Sequence, residues 1–327
     1  MKSKSLVALI FLFSALILKA QVLSVSELKS DVSYLADDKL EGRSTATSGC
    51  EKAANYISNR FKEIGLMPGG DEGTFQKKYH YKVPLNPHGA IDSTAAEKQS
   101  ANVLDYLDNK AEYTIIIGAH YDHLGLGYDG NSLDANPKGK IHNGADDNAS
   151  GVSGVLALAN YYSSNKIREP YNYLFICFSG EELGLFGSKK YCENPSIDLS
   201  KVNFMLNMDM IGRLDSTKHL LVYGVGTAAP FVTLIHKLNK DFVLKLDSSG
   251  IGPSDHTSFY LKNIPVLHFF TGQHSDYHKP SDDVEKINFE GEKEVLEYLI
   301  NLVNELQQMP KLEFLKTRNS DKENTPK

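Results

Sequence analysis

Five short segments of this sequence gather histidine and carboxylate side chains, and four of them follow a run of apolar residues. They are residues 120–123, 144–151, 179–182, 207–209 and 274–278. Several carboxylates converging in one cleft would repel one another, and each loses hydration when it is buried, so such a cluster needs a bound cation. Histidine, aspartate and glutamate without cysteine form a ligand set that suits zinc at a catalytic site. The number of candidate ligands exceeds the need of one open site, which favours two metals that share a carboxylate.

Each segment also has a plainer interpretation when it is taken alone. The His120-Tyr-Asp122 pattern occurs by chance in many proteins, although its spacing suits a metal ligand and a carboxylate that fixes the imidazole tautomer. Residues 144–151 can form a turn and a helix cap. Asp209 is harder to explain in this way, because a charge between Met208 and Met210 in an apolar strand requires a partner. The five segments together favour the metal site.

The elements between these segments predict an α/β fold. Residues 24–66 have helical spacing of apolar residues, and later helices are predicted at 151–164, 229–241 and 289–306. Near-continuous apolar runs predict strands buried on both faces, as in a parallel or mixed sheet covered by helices. In such a sheet ligands bind beyond the carboxyl ends of the strands, where the polar segments fall. No repeat or linker divides the chain, so we expect a single domain.

The two ends of the chain and its composition indicate where the domain lies in the sequence, where the protein is located and which partners are excluded. Residues 1–20 have a positive start and an apolar run that is typical of a signal peptide, with an uncleaved anchor helix as the alternative. We therefore predict a signal peptide at 1–20, one domain at 21–310, a polar tail at 311–327, and export without stable membrane insertion. The 41 acidic and 35 basic residues argue against nucleic-acid binding. Pairing of Cys50 with Cys192 stays open.

The motifs AHYDHLG, GADDNASG, FSGEELGLFGS, NMDMIGR and YHKPSDD, in this order, resemble those of the zinc-dependent exopeptidases. That family includes bacterial secreted aminopeptidases, glutamate carboxypeptidases and glutaminyl cyclases. The resemblance runs from about residue 28 to residue 306 and is closest to the di-zinc aminopeptidases. It implies a three-layer α/β/α sandwich around a mixed, mostly parallel central sheet. It also implies a cis peptide bond between Asp146 and Asp147.

The resemblance further implies roles for individual residues. One zinc ion would be bound by His120, Asp209 and Asp146. The second would be bound by Glu182, His278 and the same Asp146, which would bridge the two ions. Glu181 would be the general base, which the sequence by itself cannot distinguish from its neighbour Glu182. The catalytic set would be completed by Asp122, which would orient His120, and by Tyr277, which would stabilise the oxyanion. Asp255 resembles a residue that supports the ligands.

The activity expected from this set is hydrolysis of N-terminal residues from peptides by an exported di-zinc aminopeptidase, with Co²⁺ or Mn²⁺ as alternative metals. A carboxypeptidase or dipeptidase remains open, with Arg213 or Lys279 as the cation for a terminal carboxylate. A glutaminyl cyclase generally works with one zinc, and the presence of His120 and Asp209 argues against it. A non-catalytic binding ectodomain should have lost ligands or base, and this chain retains all of them. The sequence leaves the oligomeric state open.

Overall fold

Two capped helices open the part of the chain that the computed structural model describes, residues 23–82 and 96–317. The predicted signal peptide therefore lies outside the described residues. Helix α1 (Val25–Leu35) begins where the Ser24 hydroxyl accepts a hydrogen bond from the Glu27 amide. Helix α2 (Ser48–Ile64) begins in the same way at Thr47 and ends at Gly65, whose φ of 85° is the left-handed conformation that glycine adopts without strain. Both helices lie in the region for which helices are predicted.

The described residues contain one mixed sheet of nine strands. The strands are β1 (Met67–Pro68), β2 (Gln76–Lys82), β3 (Glu97–Leu107), β4 (Thr114–His120), β5 (Asn172–Phe178), β6 (Val202–Met208), β7 (His219–Tyr223), β8 (Val243–Leu246) and β9 (Val266–Phe270). Their order across the sheet is β1-β3-β5-β4-β6-β9-β7-β8, and β2 also pairs with β3. The four central strands, β5, β4, β6 and β9, run parallel. Antiparallel pairs flank them on both sides, at β3 and at β7.

Helices cover both faces of the sheet. On one face α1, α2, α3 (Gly151–Ser164), α5 (Phe231–Leu238) and α7 (Phe289–Leu306) pack in the larger core. On the other face α4 (Phe186–Glu193) and α6 (His256–Tyr260) pack in a smaller one. Strand β4 supplies both cores, with Ile115 and Ile117 on one side and Ile116 on the other. This confirms the predicted three-layer α/β/α sandwich around a mixed sheet; the four central strands are parallel, and four of the eight strand pairings in the described residues are antiparallel.

The sequence boundaries differ from the structure at the end of the domain. A tail is predicted from residue 311, yet Leu312 is buried and its amide donates to the Asn203 side chain. The Thr317 amide donates to the Tyr260 hydroxyl. The apolar Leu312 explains why the chain stays on the domain surface, so contacts with the domain continue at least through Thr317.

Two further expectations concern the cysteines and the membrane. Cys50, Cys177 and Cys192 are buried free thiols, so Cys50 and Cys192 are not paired. Within residues 23–82 and 96–317, none of the helices has the length and apolar character needed to cross a bilayer.

Candidate active site

The candidate site lies where the four parallel strands end. His120 is the last residue of β4, and Asp209 follows β6 directly. Glu181 and Glu182 follow β5 after Ser179 and Gly180, and the loop after β9 carries the other histidines. Because parallel strands present their carboxyl ends at one edge of the sheet, residues distant in sequence meet there. The expected convergence of the polar segments is thus what the fold provides.

A first set of donor atoms, which we call the strand-borne group, consists of His120, Asp147 and Asp209. His120 Nε2 lies 3.3 Å from Asp147 Oδ1 and 3.3 Å from Asp209 Oδ1. These atoms approach one another closely enough to hold one metal ion. The second Asp209 oxygen accepts a hydrogen bond of 2.7 Å from the Ser254 hydroxyl. The main chain of Asp209 is tied to the sheet, since its amide donates to Phe269.

A second set, the loop-borne group, consists of Asp147, Glu182 and His278. His278 Nε2 lies 3.2 Å from Asp147 Oδ2 and 3.3 Å from Glu182 Oε2. The two oxygens of Asp147 therefore face different groups, Oδ1 the strand-borne and Oδ2 the loop-borne one. A carboxylate placed in this way can be shared by two metal ions.

The spacing of these atoms fits zinc. In a tetrahedral site with zinc–ligand distances of about 2.0–2.1 Å, neighbouring donor atoms are about 3.3–3.4 Å apart. All four nitrogen–oxygen distances above, 3.2 or 3.3 Å, match that value. They exceed the usual hydrogen-bond length of about 2.9 Å. Both groups combine imidazole with carboxylate, the donor set of catalytic zinc sites.

The structure places Asp147, and not Asp146, between the two groups, which corrects the sequence expectation. Asp146 is fully buried and its oxygens have other partners. Asp146 Oδ1 accepts from the Gly212 amide at 2.7 Å and from the Ser150 hydroxyl, while Oδ2 lies 3.1 Å from His274 Nε2. Adjacent residues in this turn point in different directions, so only one of the two aspartates reaches both groups.

The cis peptide bond is displaced by one residue in the same sense. It joins Asp147 to Asn148, whereas the sequence expectation placed it between Asp146 and Asp147. The Asn148 side chain explains the local anchoring of the turn: its amide donates to the Met208 carbonyl, and its oxygen accepts from the Gly151 and Met210 amides.

Two buried charged residues hold this turn from outside the cluster. The Asp282 carboxylate accepts hydrogen bonds from the main-chain amides of both Asp146 and Asp147, at 3.0–3.1 Å. The Arg43 guanidinium donates to main-chain oxygens on both sides, including those of Gly144 and Tyr121, each at 2.7 Å. A charge buried in this manner is stable only when its hydrogen-bonding capacity is used, which is the case here.

Asp122 connects His120 with the strand-to-helix turn that carries the glutamates. His120 Nδ1 lies 3.2 Å from the Asp122 carbonyl oxygen and 3.8 Å from its carboxylate. That carboxylate accepts hydrogen bonds from the Glu181 amide at 3.1 Å and from the Thr45 hydroxyl at 2.7 Å. Asp122 therefore faces His120 chiefly through its main chain and also fixes the main chain at Glu181.

The two adjacent glutamates occupy different environments. Glu182 belongs to the loop-borne group, whereas Glu181 lines the cleft beside His120 and Asp209. Burial raises the pKa of Glu181 well above its usual range; His120 opposes this shift and the neighbouring carboxylates add to it. Burial and Asp147 act to raise the pKa of Glu182, but the contacts with His278 and His123 lower it to about 2. Of the pair, Glu181 is the one suited to take up a proton.

The rest of the cleft is mainly aromatic and apolar. Tyr277 lines it and stacks on the His278 ring at a centroid distance of 3.9 Å. The other lining residues away from the carboxylates are Met210, Tyr223, Pro253, His268, Phe270 and Gln273. Burial lowers the pKa of His268 to about 4, so this histidine is neutral at pH 7. Asp255 is buried behind the cleft, and burial raises its pKa to about 7.

Two contributors were not predicted from the sequence. His123 Nδ1 lies 2.7 Å from Glu182 Oε1. Asn131 lies in the segment after β4: its carbonyl accepts from His278 Nδ1 at 2.9 Å, and its side chain donates to the Glu182 carbonyl at 2.8 Å. The adjacency of His123 to the HxD pattern was the only available signal, whereas contacts of a loop main chain leave no pattern in the sequence.

Comparisons with known proteins show which family and which proteins this chain is similar to. The family model described as peptidase family M28 matches residues 102–303. The alkaline phosphatase isozyme conversion protein of Escherichia coli is 29% identical over 68% of this chain and 61% of its own length. Aminopeptidase YwaD of Bacillus subtilis is 30% identical over 68% of this chain and 46% of its own length. The chain thus spans about half the length of these curated relatives.

Solved structures share the fold at low sequence identity. A leucine aminopeptidase precursor from Bacteroides thetaiotaomicron superposes with a TM-score of 0.67 at 18% identity, covering 87% of this chain and 98% of that one. A glutaminyl cyclase from Porphyromonas gingivalis gives a TM-score of 0.68 at 16% identity, covering 88% and 100%. These similarities establish the architecture, and the choice between activities depends on the site.

Proposed function

The chain belongs to peptidase family M28, and on this basis we propose that it is an exported di-zinc aminopeptidase. One observation carries the choice of aminopeptidase. The described residues that line the cleft include four carboxylates and neither lysine nor arginine: Asp147, Glu181, Glu182 and Asp209. Bound zinc ions would offset the charge of these carboxylates, so the choice rests on the cations: none of the described lining residues is a lysine or arginine that could bind the terminal carboxylate of a peptide.

The two cations considered for a carboxypeptidase support the same choice. The Arg213 guanidinium lies 3.4 Å from the Asp276 carboxylate, which also accepts from Lys286. Lys279 Nζ donates to the Ser275 carbonyl at the surface. Both side chains have partners of their own, and neither is among the described residues that line the cleft.

The proposed reaction is hydrolysis of the first peptide bond. When bound, two zinc ions supply Lewis-acid activation of the scissile carbonyl and of the attacking water. His120, Asp147 and Asp209 would hold one ion, and Asp147, Glu182 and His278 the other. Glu181 accepts the proton of the water as it attacks and returns it to the leaving amine. The Tyr277 hydroxyl donates to the oxyanion.

A glutaminyl cyclase is the second candidate, because neighbours in the fold carry that activity. Such enzymes generally work with one zinc. The strand-borne and loop-borne groups here both have complete donor sets with the same spacing, which favours the two-metal peptidase.

Export is supported by the pattern of residues 1–20. A relative from Mycobacterium tuberculosis, 31% identical over 44% of this chain and 31% of its own length, is named a probable lipoprotein aminopeptidase.

The role of Glu181 gives the decisive experiment for the reaction. We expect Glu181→Gln to keep both zinc ions and to lower kcat on leucine p-nitroanilide by about 10²–10⁴-fold, because the amide cannot accept the proton. Zinc content and steady-state kinetics measure the two effects separately. Retention of substantial activity by a pure, metal-loaded variant would overturn the assignment, and chelator-treated wild-type protein is the control without metal.

The cleft also predicts a preference for the N-terminal residue. Met210, Tyr223 and Phe270 line the cleft beside the carboxylates. Burial of an apolar substrate side chain against them removes apolar surface from water, which lowers the free energy of binding. We expect kcat/KM to be at least about 10-fold higher for leucine than for glutamate p-nitroanilide. Equal or reversed values would contradict this orientation of the substrate.

A further inference from the structure

His123 is buried against the loop-borne group, and the mechanism proposed above does not use it. Its side chain is inaccessible to solvent. Its Nδ1 lies 2.7 Å from Glu182 Oε1 and 3.9 Å from Asp147 Oδ2. The ring meets the His278 ring edge-on, with 5.8 Å between centroids. The imidazole is therefore packed directly behind one of the candidate metal ligands.

The main chain around His123 is shaped to admit this ring. A Cβ atom on Gly144 would lie 2.5 Å from two carbon atoms of the His123 ring, closer than atoms can approach. Gly144 also has a φ of 57°, the left-handed region that favours glycine. A Cβ atom there would also lie 2.1 Å from the Asp147 carbonyl oxygen, so a side chain at residue 144 would displace both the His123 ring and the turn that carries Asp147.

Hydrogen-bonding chemistry fixes the tautomer of His123. An ionised carboxylate only accepts hydrogen bonds, so the nitrogen at 2.7 Å from Glu182 must carry the proton. The other nitrogen, Nε2, is buried without a hydrogen-bond partner in the described residues, and it is less costly there as a lone pair than as an unpaired N–H. His123 Nδ1 does lie close enough to oxygens of Asp147 and Glu182 for the three residues to hold one ion. However, 2.7 Å from Glu182 Oε1 is a hydrogen-bond length and not the spacing of two ligands on one zinc ion, and a protonated Nδ1 cannot bind a metal ion.

The two carboxylate oxygens of Glu182 have different contacts. Oε1 is taken by His123 at hydrogen-bond length, and Oε2 lies 3.3 Å from His278 Nε2, the spacing of two ligands on one zinc ion. The hydrogen bond at Oε1 favours binding of the metal through Oε2 alone. A coordination position is thereby left open for water or substrate, as catalytic zinc sites require.

We propose that His123 is a positioning residue for the second metal, holding Glu182 as a ligand through a single oxygen. This inference rests on the proposed di-zinc function. It predicts that His123 controls the affinity of the loop-borne group and leaves that of the strand-borne group unchanged.

The test is a titration of the chelator-stripped full chain with Co²⁺, followed by calorimetry and by the visible absorption of the bound ion. We expect wild type to bind two equivalents, and His123→Ala to bind one normally and the other about 10–100-fold more weakly. His123→Asn places an amide donor near the Nδ1 position, so we expect it to restore the second affinity to within a few-fold of wild type. Thermal unfolding of the stripped variants checks that each is folded.

An Asp209→Asn background identifies which equivalent responds. That variant lacks a ligand of the strand-borne group, so its remaining equivalent is the loop-borne one, and adding His123→Ala must weaken it. Unchanged second-equivalent affinity in His123→Ala overturns the proposal. Failure of a folded His123→Asn variant to restore affinity also overturns it, because a hydrogen-bond donor near the Nδ1 position would then not be what holds Glu182.

The fate of the proposed function can be read separately. The wild type could bind two Co²⁺ ions, and His123→Ala could weaken one of them, while the zinc-loaded protein hydrolyses no aminoacyl p-nitroanilide. This result would contradict the proposed peptidase activity and support the role of His123. If the wild type hydrolyses the substrate with two metal ions bound, but His123→Ala leaves both metal affinities unchanged, the peptidase activity is supported and the role of His123 is contradicted. Binding of a single equivalent by wild type contradicts both.

Discussion

The two donor groups share Asp147 but are built on different parts of the fold. In the strand-borne group, His120 ends β4 and Asp209 follows β6, and these strands are hydrogen-bonded neighbours. In the loop-borne group, Glu182 and His278 lie on loops. Their positions depend on contacts from residues 123–133, including a hydrogen bond from the Leu133 amide to the His278 carbonyl.

The two groups therefore differ in what fixes the positions of their ligands. The position of a ligand at the end of a central strand is fixed by the sheet, whose hydrogen bonds break only when the core of the domain unfolds. A ligand on a loop keeps its position through a few local hydrogen bonds, each with a modest free energy of about 0.5–1.5 kcal/mol. We therefore expect metal affinity at the loop-borne group to respond more strongly to changes in the surrounding residues.

The largest effect is expected where the groups meet. Asp147→Asn removes charge from both groups at once, so we expect loss of at least one metal ion per chain and loss of hydrolysis. Asp146→Asn is the matched control: it changes a neighbouring buried aspartate that bonds Gly212 and Ser150 instead. We expect that variant to keep two metal ions. Zinc analysis of the two proteins decides between Asp147 and Asp146 as the shared ligand, and loss of metal only in Asp146→Asn would reverse the assignment.

A smaller pair of changes compares the supports of the two groups. Asn131→Ala removes the side-chain hydrogen bond to the Glu182 carbonyl, and Ser254→Ala removes the one to Asp209 Oδ2. We expect Asn131→Ala to weaken one Co²⁺ equivalent by about 10-fold. Ser254→Ala should weaken the other by less, because the sheet still holds the Asp209 main chain. Equal effects, or a larger effect of Ser254→Ala, would contradict the difference between the groups.

Much of the fold could be predicted from the sequence, for a physical reason. Strands buried on both faces, such as β4 and β5, must be apolar throughout, and this leaves a strong signal. The placement of His120 and Asp209 at the ends of such strands followed from the same pattern. The end of the domain was misplaced, because the single buried residue Leu312 in a polar stretch gives little indication of where a chain leaves its domain.

The parts of the site that could not be predicted depend on local direction. Asp146 and Asp147 have the same chemistry, and which one faces both groups is decided by the main chain of one turn, held by Asp282 and Asn148. His123 and Asn131 act through contacts across the cleft, whose spacing appears only after the fold is complete. Residue type and spacing therefore predict a metal site more readily than they predict the ligand within an adjacent pair.

The most direct test of the central claim is the zinc content of the stripped and reconstituted full chain, measured per chain with its hydrolysis of leucine p-nitroanilide. Two complete donor groups predict two zinc ions per chain, with activity that disappears on chelation and returns with zinc. One zinc ion per chain in a fully reconstituted, folded protein would contradict the shared role of Asp147 and the di-zinc peptidase together.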